Sequence, residues 1–372
     1  MKTKIASAIL LNALATSTFA MPSIYGEIDA SIDYLPENNA KSSDKDVWKL
    51  NSNSSYIGIK GEEKLTDRLS AIYLAEWSIS TDGDSTDWGH RNRFVGLKDA
   101  KLGTLKIGKH NTPLKQLSSP VDSFNDYVAN KIDVTSIMPG ENRVDNAVVY
   151  ESPAVKALDG VFKFSALLAT GEGSSEIKKG NGSVGTDGGG FGDAWSASLT
   201  YENSLFLAGL GYDSAIPSNF LGRGMLNASD PEVGVTPSND TFAAANTVRA
   251  IGRLTPMEGL ALKALFQTSE VEEAKGNGVL TDNIDDSVGW LVGVEYKLPN
   301  AQQWTIKGQY SQNTTSFKDG TQDFEAKQIV GDVDYAFNKQ VRTYGYAGYA
   351  TLEQGRKKDK QPLTGIGLEY KF

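Results

Sequence analysis

Thr364-Gly-Ile-Gly-Leu-Glu-Tyr-Lys-Phe372 is a segment in which apolar residues alternate with small or charged ones. Successive side chains of an extended strand point to opposite faces, so Ile366, Leu368, Tyr370 and Phe372 share one face. The other face carries glycine, glutamate and lysine. An apolar face that ends in two aromatic residues is typical of a strand whose outer side meets lipid and whose end lies in an aromatic girdle.

The segment Ser23–Tyr34, near the other end of the chain, has the same design. Its isoleucines lie on one face, and Glu27, Asp29 and Asp33 lie on the other. Two strands of this kind predict an all-β protein that closes into a membrane-embedded barrel. A large soluble β-sandwich also alternates along its strands and is the alternative on this pattern alone.

Residues 1–20 form a separate unit. Lys2 and Lys4 precede the apolar stretch Ile5–Leu14, and Thr18-Phe-Ala20 has the small residues of a cleavage site. This order predicts a secretory signal peptide over 1–20, followed by a single barrel domain over 21–372. A buried N-terminal helix is the alternative for the same stretch.

Composition excludes several classes of protein. The chain has no cysteine, so it is neither a disulfide scaffold nor a zinc–thiolate protein. Its net charge of −9 argues against nucleic acid as a partner. Mean hydropathy is −0.34, and no later stretch approaches the ~18 apolar residues of a membrane-spanning helix. A barrel shows lipid only alternate residues, so its membrane character is hidden from such averages.

Strand-like segments recur along the whole mature chain, and their number predicts a sixteen-stranded antiparallel barrel. The sixteen predicted strands are Ser23–Tyr34, Ser54–Leu65, Leu69–Ser80, Arg91–Lys98, Gly103–Gly108, Asn142–Tyr150, Val161–Thr170, Ala194–Tyr201, Leu205–Tyr212, Thr247–Leu254, Leu260–Thr268, Val288–Leu298, Trp304–Gln312, Phe324–Phe337, Val341–Leu352 and Thr364–Phe372.

The predicted outer faces are apolar, whereas several opposite faces are polar, which indicates a water-filled interior. Short turns such as Thr66–Arg68 alternate with long polar connections, which is typical of a barrel with long loops on its outer side. The long connections are Thr81–His90, Gly171–Asp193, Asp213–Asn246, Ser269–Asp286 and Asn313–Asp323.

Five motifs, spread in order along the chain, resemble the general porins of Gram-negative bacteria, in particular the trimeric neisserial type. They are Gly58–Glu62, Arg91–Lys98, Gly103–Lys115, Arg143–Pro153 and Leu368–Phe372. The resemblance implies a sixteen-stranded homotrimeric barrel in the cell outer membrane, with lipid and lipopolysaccharide around it. It also implies that the third external loop folds into the lumen as a constriction.

In the family that the motifs resemble, arginines on the strands flanking this loop line the constriction. Arg91 and Arg143 stand where the motifs place such arginines. Arg93 has the same parity as Arg91, so an ideal strand would direct both into the lumen. Tyr56 departs from the pattern, because some relatives carry a further arginine there.

Two lysines are candidate additions to this positive wall. Lys60 and Lys106 alternate with the apolar Ile59 and Ile107, which predicts that they face the lumen. The alternative is that they are ordinary charges of the lumen or its rim.

The predicted constriction loop is Asn111–Glu141. Asp122, Asp126 and Glu141 are its candidate acidic residues, and rows of opposite charge facing each other would create a transverse field that orients polar solutes. A solvated external loop is the alternative for the same acidic residues. Tyr370 and Phe372 are the candidate assembly signal, because the resemblance implies that a terminal aromatic residue is read by the outer-membrane insertion machinery.

A barrel enzyme and a receptor or adhesin are the competing functions. The chain has two histidines, His90 and His110, and neither accompanies a nucleophile motif, so the sequence predicts no enzyme, no cofactor and no metal site. The long loops would suit a receptor, but packing at the mouth of a trimer explains them equally well. We therefore expect a porin for passive diffusion of ions and small hydrophilic solutes. A channel that prefers small carboxylates is the alternative.

Overall fold

The computed structural model describes residues 21–36, 46–83, 87–130, 132–172, 177, 190–221, 242–273 and 282–372; the predicted signal peptide lies outside these ranges. Eighteen strand segments make one antiparallel sheet. They are β1 Ser23–Pro36, β2 Asp46–Ser52, β3 Tyr56–Lys64, β4 Leu69–Ser78, β5 Gly89–Asp99, β6 Gly103–Asn111, β7 Arg143–Glu151, β8 Val155–Ala157, β9 Gly160–Ala169, β10 Ala194–Glu202, β11 Phe206–Asn219, β12 Phe242–Met257, β13 Leu260–Glu273, β14 Ile284–Lys297, β15 Trp304–Phe317, β16 Phe324–Ala336, β17 Val341–Gln354 and β18 Lys357–Lys371.

These segments occupy sixteen positions in the wall. The pair β2 and β3 fills one position, because both pair with β1, and the pair β7 and β8 fills another beside β9. The sheet closes where β1 meets β18, from Glu27 opposite Lys371 to Tyr34 opposite Thr364. Gly26 and Phe372 exchange two backbone hydrogen bonds of 3.0 and 3.1 Å at the last rung. The prediction of a closed sixteen-stranded antiparallel barrel is confirmed.

Several strands are longer than predicted. β18 begins at Lys357, seven residues before the predicted Thr364, and β2 was not predicted at all. The first residues of β18 are polar on both faces, and there the backbone hydrogen bonds continue although the side chains no longer alternate. β2 is a seven-residue segment in which Trp48 and Leu50 alternate with Lys49 and Asn51, and it extends the pairing with β1.

The faces alternate as predicted over most of the wall. Trp290, Val292 and Val294 of β14 are exposed on the outside, whereas Gln309 and Ser311 of β15 are buried on the inside. Apolar residues outside and polar residues inside suit a barrel that has lipid around it and water within it. Within the described residues, no helix is both long enough and apolar enough to cross a membrane.

The connection between β6 and β7, residues 112–142, folds into the barrel, as predicted for the constriction loop. We call it the inner loop. It carries three one-turn helices, α1 Pro113–Gln116, α2 Tyr127–Asn130 and α3 Val134–Ile137. Leu117 and Phe124 of the loop belong to one buried apolar cluster.

The cluster also includes residues of the barrel wall, which corrects the expectation of a polar interior. Leu207, Ile251, Leu265 and Leu291 lie on the inward face of β11–β14 and are buried in the same cluster as the loop. Apolar side chains are needed there because the loop must dock by burying apolar surface. The lumen is thereby divided, with the loop packed against one half of the wall and a polar space left beside the other.

Candidate functional site

A cavity of about 730 Å³ lies between the inner loop and the wall formed by β3–β7. Its lining is almost entirely polar. The wall contributes Ser54, Ser78, Gly89, His90, Arg91, Asn111 and Arg143, and the loop contributes Lys115, Gln116, Ser118, Ser119, Asn125, Asp126, Thr135 and Glu141.

Arg91 lines this cavity because of a β-bulge. The register between β4 and β5 shifts between the pairs Ala75–Arg93 and Trp77–His90, so one extra residue of β5 is accommodated there. The Arg91 guanidinium lies 4.6 Å from the centre of the Tyr56 ring. Tyr56 is therefore a cation–π platform for Arg91.

Arg93 does not share the orientation of Arg91, and the parity argument for it was wrong. Arg93 is in register with Lys109, two positions from the exposed, outward-facing pair Val95 and Ile107. It therefore faces outward, and its guanidinium lies 5.0 Å from the centre of the Trp77 ring. Because the bulge adds one residue between them, Arg91 and Arg93 point to opposite faces of β5. A regular alternation of side chains predicts the same face for both.

Arg143 lies at the top of β7 and lines the cavity from the same wall as Arg91. Its Nε donates a hydrogen bond of 2.8 Å to Oδ1 of Asn92, which also accepts 3.0 Å from the backbone N–H of Asn111. Asn92 thus fixes the side chain of Arg143 relative to the start of the inner loop. The sequence did not assign a role to Lys115, which adds a third positive group from the loop itself.

The three predicted acidic residues have different surroundings. Asp126 is half-buried and lines the cavity. Asp122 is buried inside the loop and accepts hydrogen bonds from the backbone N–H groups of Val134 and Phe124 and from Gln309. Burial raises the pKa of Asp122, although these hydrogen bonds oppose the shift. Its role is to hold the loop in shape.

Glu141 is buried at the base of the inner loop between two cations. Lys115 Nζ lies 3.0 Å from one carboxylate oxygen, and Arg249 Nη1 binds the other. Burial by itself would raise the pKa of Glu141, but Lys115 and Arg249 more than offset it and leave the pKa below its usual range. Glu141 is therefore an anchor as well as a lining residue.

Sequence reasoning missed Arg249, the largest fully buried side chain of the described residues. Besides Glu141, it donates to the carbonyl oxygens of Leu114 at 3.3 Å and Pro139 at 3.1 Å. Gly140, with φ of +85°, completes the contact, since a Cβ there would collide with Leu114. The signal in the sequence was the position of Arg249 within the predicted strand Thr247–Leu254, on the face that points into the barrel.

A second anchor, Tyr127, holds the far end of the loop against β15–β17. Its ring lies 4.5 Å from that of Tyr344, and its hydroxyl contacts Asp332 at 3.1 Å and Arg342 Nη1 at 3.3 Å. The neighbouring Val128 has φ of +51°, a strained conformation for a β-branched residue. The contacts of Tyr127 offset this cost.

The two candidate lysines lie outside the cavity lining. Lys60 faces the lumen, with Nζ 4.3 Å from the centre of the Tyr25 ring. Lys106 is buried and pairs with Glu151 at 2.6 Å. Lys60 therefore contributes to the field of the lumen, whereas the charge of Lys106 is matched locally.

Among the described residues, one group of carboxylates lies close enough together to hold a cation. Glu27, Asp29 and Glu369 place oxygen atoms within 4.8 Å of one another on the wall of the lumen. Arg342 and Lys371 already pair with Glu369, at 2.8 and 2.9 Å, and supply positive charge there.

The candidate assembly residues lie at the seam of the barrel. The rings of Tyr370 and Phe372 stack on the outside with centroids 6.1 Å apart, and both are exposed. Phe372 also bonds through its backbone to Gly26 of the first strand.

Comparisons with known proteins agree with this architecture. The model of the Gram-negative porin family matches residues 6–355. The major outer membrane protein P.IB of Neisseria gonorrhoeae is 24% identical and that of Neisseria sicca 26%; each alignment covers 98% of both chains. Among solved structures, in-vitro folded OmpT of Vibrio cholerae in its trimer form has a TM-score of 0.62 at 17% identity. That alignment covers 95% of this chain and 99% of OmpT.

The similarity to OmpT, at 17% identity, shows a shared fold. The match to the porin family extends over nearly the whole chain. The family match and the curated relatives indicate a channel rather than an enzyme. Together with the closed barrel, its apolar exterior and its polar cavity, they establish that this chain belongs to the Gram-negative porin family and forms a channel as an integral protein of the outer membrane.

Proposed function

We propose that ions and small hydrophilic solutes diffuse passively between the inner loop and the wall of β3–β7, and that this passage is the constriction. The observation that carries the proposal is the polar cavity of about 730 Å³ with arginines on its wall side. Arg91 and Arg143 face Asp126 across it, with Lys115 close to the base of the loop. Opposed charges of this kind orient polar solutes and disfavour apolar ones.

The positive groups should dominate selectivity although the chain is acidic overall. A charge acts on a permeating ion mainly within about one Debye length, ~8 Å at physiological salt. An ion in the cavity is close to Arg91 and Arg143, whereas acidic residues of the external loops are farther away. Reversal potentials in a salt gradient across a planar bilayer test this directly. Strong cation preference of the wild-type channel would contradict it.

A channel that prefers small carboxylates is the second candidate. It is favoured by Arg91 and Arg143, which both line the cavity from the wall side. A guanidinium can bind a carboxylate bidentately. Block of chloride current by millimolar carboxylate, but not by an uncharged solute of the same size, would support it.

The oligomer is proposed to be a heat-sensitive homotrimer. The outward surface of β1 and β3 consists of small and aliphatic residues, namely Gly26, Ile28, Ala30, Ile57 and Ile59. Such a surface suits close packing against another barrel. The solved OmpT structure is described as a trimer. A single monomeric species in unheated electrophoresis and in light scattering would refute the trimer.

Export and assembly complete the proposal. Residues 1–20 would be removed on export, and Tyr370 and Phe372 would be read by the outer-membrane insertion machinery. Lipid and lipopolysaccharide would surround the exposed apolar belt. The proposed role contains no catalytic step. N-terminal sequencing of the protein from outer membranes would test cleavage after Ala20.

A further inference from the structure

The end of β11 and the start of β12 leave the barrel wall together. Over the rest of these two strands, exposed outward residues alternate with buried inward ones, as expected for strands between lipid and lumen. Residues 215–218 and 242–245, in contrast, are buried in succession. A strand segment that is buried on both faces has protein on both sides. We call residues 214–221 and 242–246 the inward extension.

Local features of the sequence account for the bend at the start of the inward extension. The β11–β12 register shifts between Asp213 and Ile216, which marks a bulge. Within it Ala215 has φ of +53°, and its backbone N–H donates a hydrogen bond of 3.0 Å to Oδ1 of Asn246. Pro217 lies beyond the pairing of β11 with β10, and a residue without an N–H suits such a strand edge. The bulge and its side-chain hydrogen bond therefore turn the extension out of the wall.

The inward extension crosses the interior of the barrel toward β15. The Thr315 hydroxyl on β15 donates a hydrogen bond of 2.7 Å to the carbonyl oxygen of Phe220. Ile216, four residues earlier, is buried in one cluster with Leu167 and Ala194 of β9 and β10. Four residues reach at most about 14 Å, whereas the wall from β11 to β15 measures four strand spacings, about 19 Å. The segment therefore takes the shorter path across the lumen.

On this path the inward extension packs against the inner loop. Phe220 is fully buried and belongs to the same apolar cluster as Ile137 of the loop. The backbone N–H of Gly140 donates a hydrogen bond of 3.2 Å to the hydroxyl of Ser218, which is also buried. Arg249 holds the preceding residue of the loop from the wall. The docked part of the inner loop therefore lies between the wall and the inward extension.

We propose that the inward extension is a clamp, in which Phe220 and Ser218 keep the inner loop docked from its external side. The β11–β12 connection is one of the long ones, which lie at the external end of the barrel. Because the wall and the extension hold the loop from opposite sides, the loop can leave its position only if the extension moves first. The clamp thereby fixes the width of the passage beside β3–β7. The inference rests on the proposed passage for this width alone, since movement of the inner loop is measured separately.

A reversible cross-link tests the clamp. The chain has no cysteine, so a Phe220→Cys, Thr315→Cys pair can be joined selectively by a short bifunctional methanethiosulfonate reagent and released by a reductant. The released pair lacks the buried aromatic ring, so we expect hydrogen exchange of the backbone N–H groups of residues 134–142 to be at least about tenfold faster than in the wild type. Current fluctuations should become more frequent. Joining the two cysteines should restore both quantities, which a general folding defect would not allow.

Phe266→Cys is the matched control, because it removes an aromatic ring that is exposed on the outer face of β13. It should leave exchange of the inner loop at the wild-type rate. Ser218→Ala is a smaller change, which removes the acceptor of the Gly140 N–H and should speed exchange at Gly140 alone.

Two results would overturn the clamp. One is exchange of the inner loop at the wild-type rate in the released pair. The other is failure of the reagent to join the two cysteines, because the extension would then lie away from β15. Loss of the clamp and loss of the proposed passage are distinguishable. If neutralising Arg91 and Arg143 leaves the reversal potential unchanged while the released pair exchanges faster, the passage is refuted and the clamp is supported.

Discussion

Replacing Arg249 by methionine should release the base of the inner loop while the barrel stays folded. The Arg249 side chain is fully buried and makes five hydrogen bonds, to Gln267, Glu141 and two loop carbonyls. Methionine keeps an unbranched chain in the same space but supplies no charge and no donor. The wall strands retain their backbone hydrogen bonds, so the loss should fall on the docking of the loop.

The size of the effect follows from the partners left behind. Removing one member of a buried ion pair costs about 3–5 kcal/mol. Lys115 still neutralises part of the charge of Glu141 from 3.0 Å, which places the expected cost at the lower end, about 3 kcal/mol. Because about 1.4 kcal/mol is a factor of ten, the ratio of docked to undocked loop should fall roughly a hundredfold.

The ratio of docked to undocked loop can be measured by hydrogen exchange with mass spectrometry. The relevant backbone N–H groups are those of residues 112–142. We expect faster exchange across the loop, more frequent current fluctuations and little change in the melting of the barrel. Arg253→Met is the matched control, because Arg253 lies on the same strand but pairs with Glu202 at the other end of the barrel. Loop exchange at the wild-type rate in Arg249→Met would refute the anchoring role.

Three further outcomes are expected. Deleting Phe372 should lower the amount of protein in outer-membrane fractions, because it removes the two backbone hydrogen bonds to Gly26 that close the barrel. Wild-type levels would show that Phe372 is only one aromatic residue of the girdle and no assembly signal. Tyr127→Phe removes the hydroxyl contacts to Asp332 and Arg342 but keeps the ring stacked on Tyr344, so docking of the loop should weaken by about 1–2 kcal/mol and hydrogen exchange near the loop tip should become faster. Unchanged exchange would show that the hydroxyl does not anchor the loop. The pKa of Glu141 is lowered, so its stabilisation is complete above the ordinary glutamate value of about 4.5 and is lost as pH falls through the lowered value. Loop exchange should therefore be constant with pH above about 4.5 and rise below it, after correction for intrinsic exchange rates.

The barrel was predictable because alternation reports directly which face meets lipid. The girdle strand that ends in Tyr370 and Phe372 shows this most clearly, and its partner across the seam, β1, has the same pattern. Strand ends such as those of β18 were not predictable, since both of their faces are polar and only backbone pairing continues.

The site was predictable only in part, for three physical reasons. A bulge turned Arg91 inward and left Arg93 outside, and bulges carry no strong signal in one sequence. Glu141 and Asp122 were identified as acidic loop residues, but their buried partners come from distant strands, for example Arg249 and Gln309. The inner wall that receives the loop is apolar, whereas the alternation along the strands predicted a polar lumen.

The reversal potential of the Arg91→Ala, Arg143→Ala double variant in a salt gradient tests the central claim most directly. Both side chains line the cavity from the same wall, and arginine remains charged at any working pH. We predict a shift toward cations together with a larger single-channel conductance. Asp319→Asn, which neutralises an acidic residue in an exposed connection outside the cavity lining, should change either quantity much less. A double arginine variant with unchanged conductance and unchanged reversal potential would contradict the account, because the constriction would then lie elsewhere.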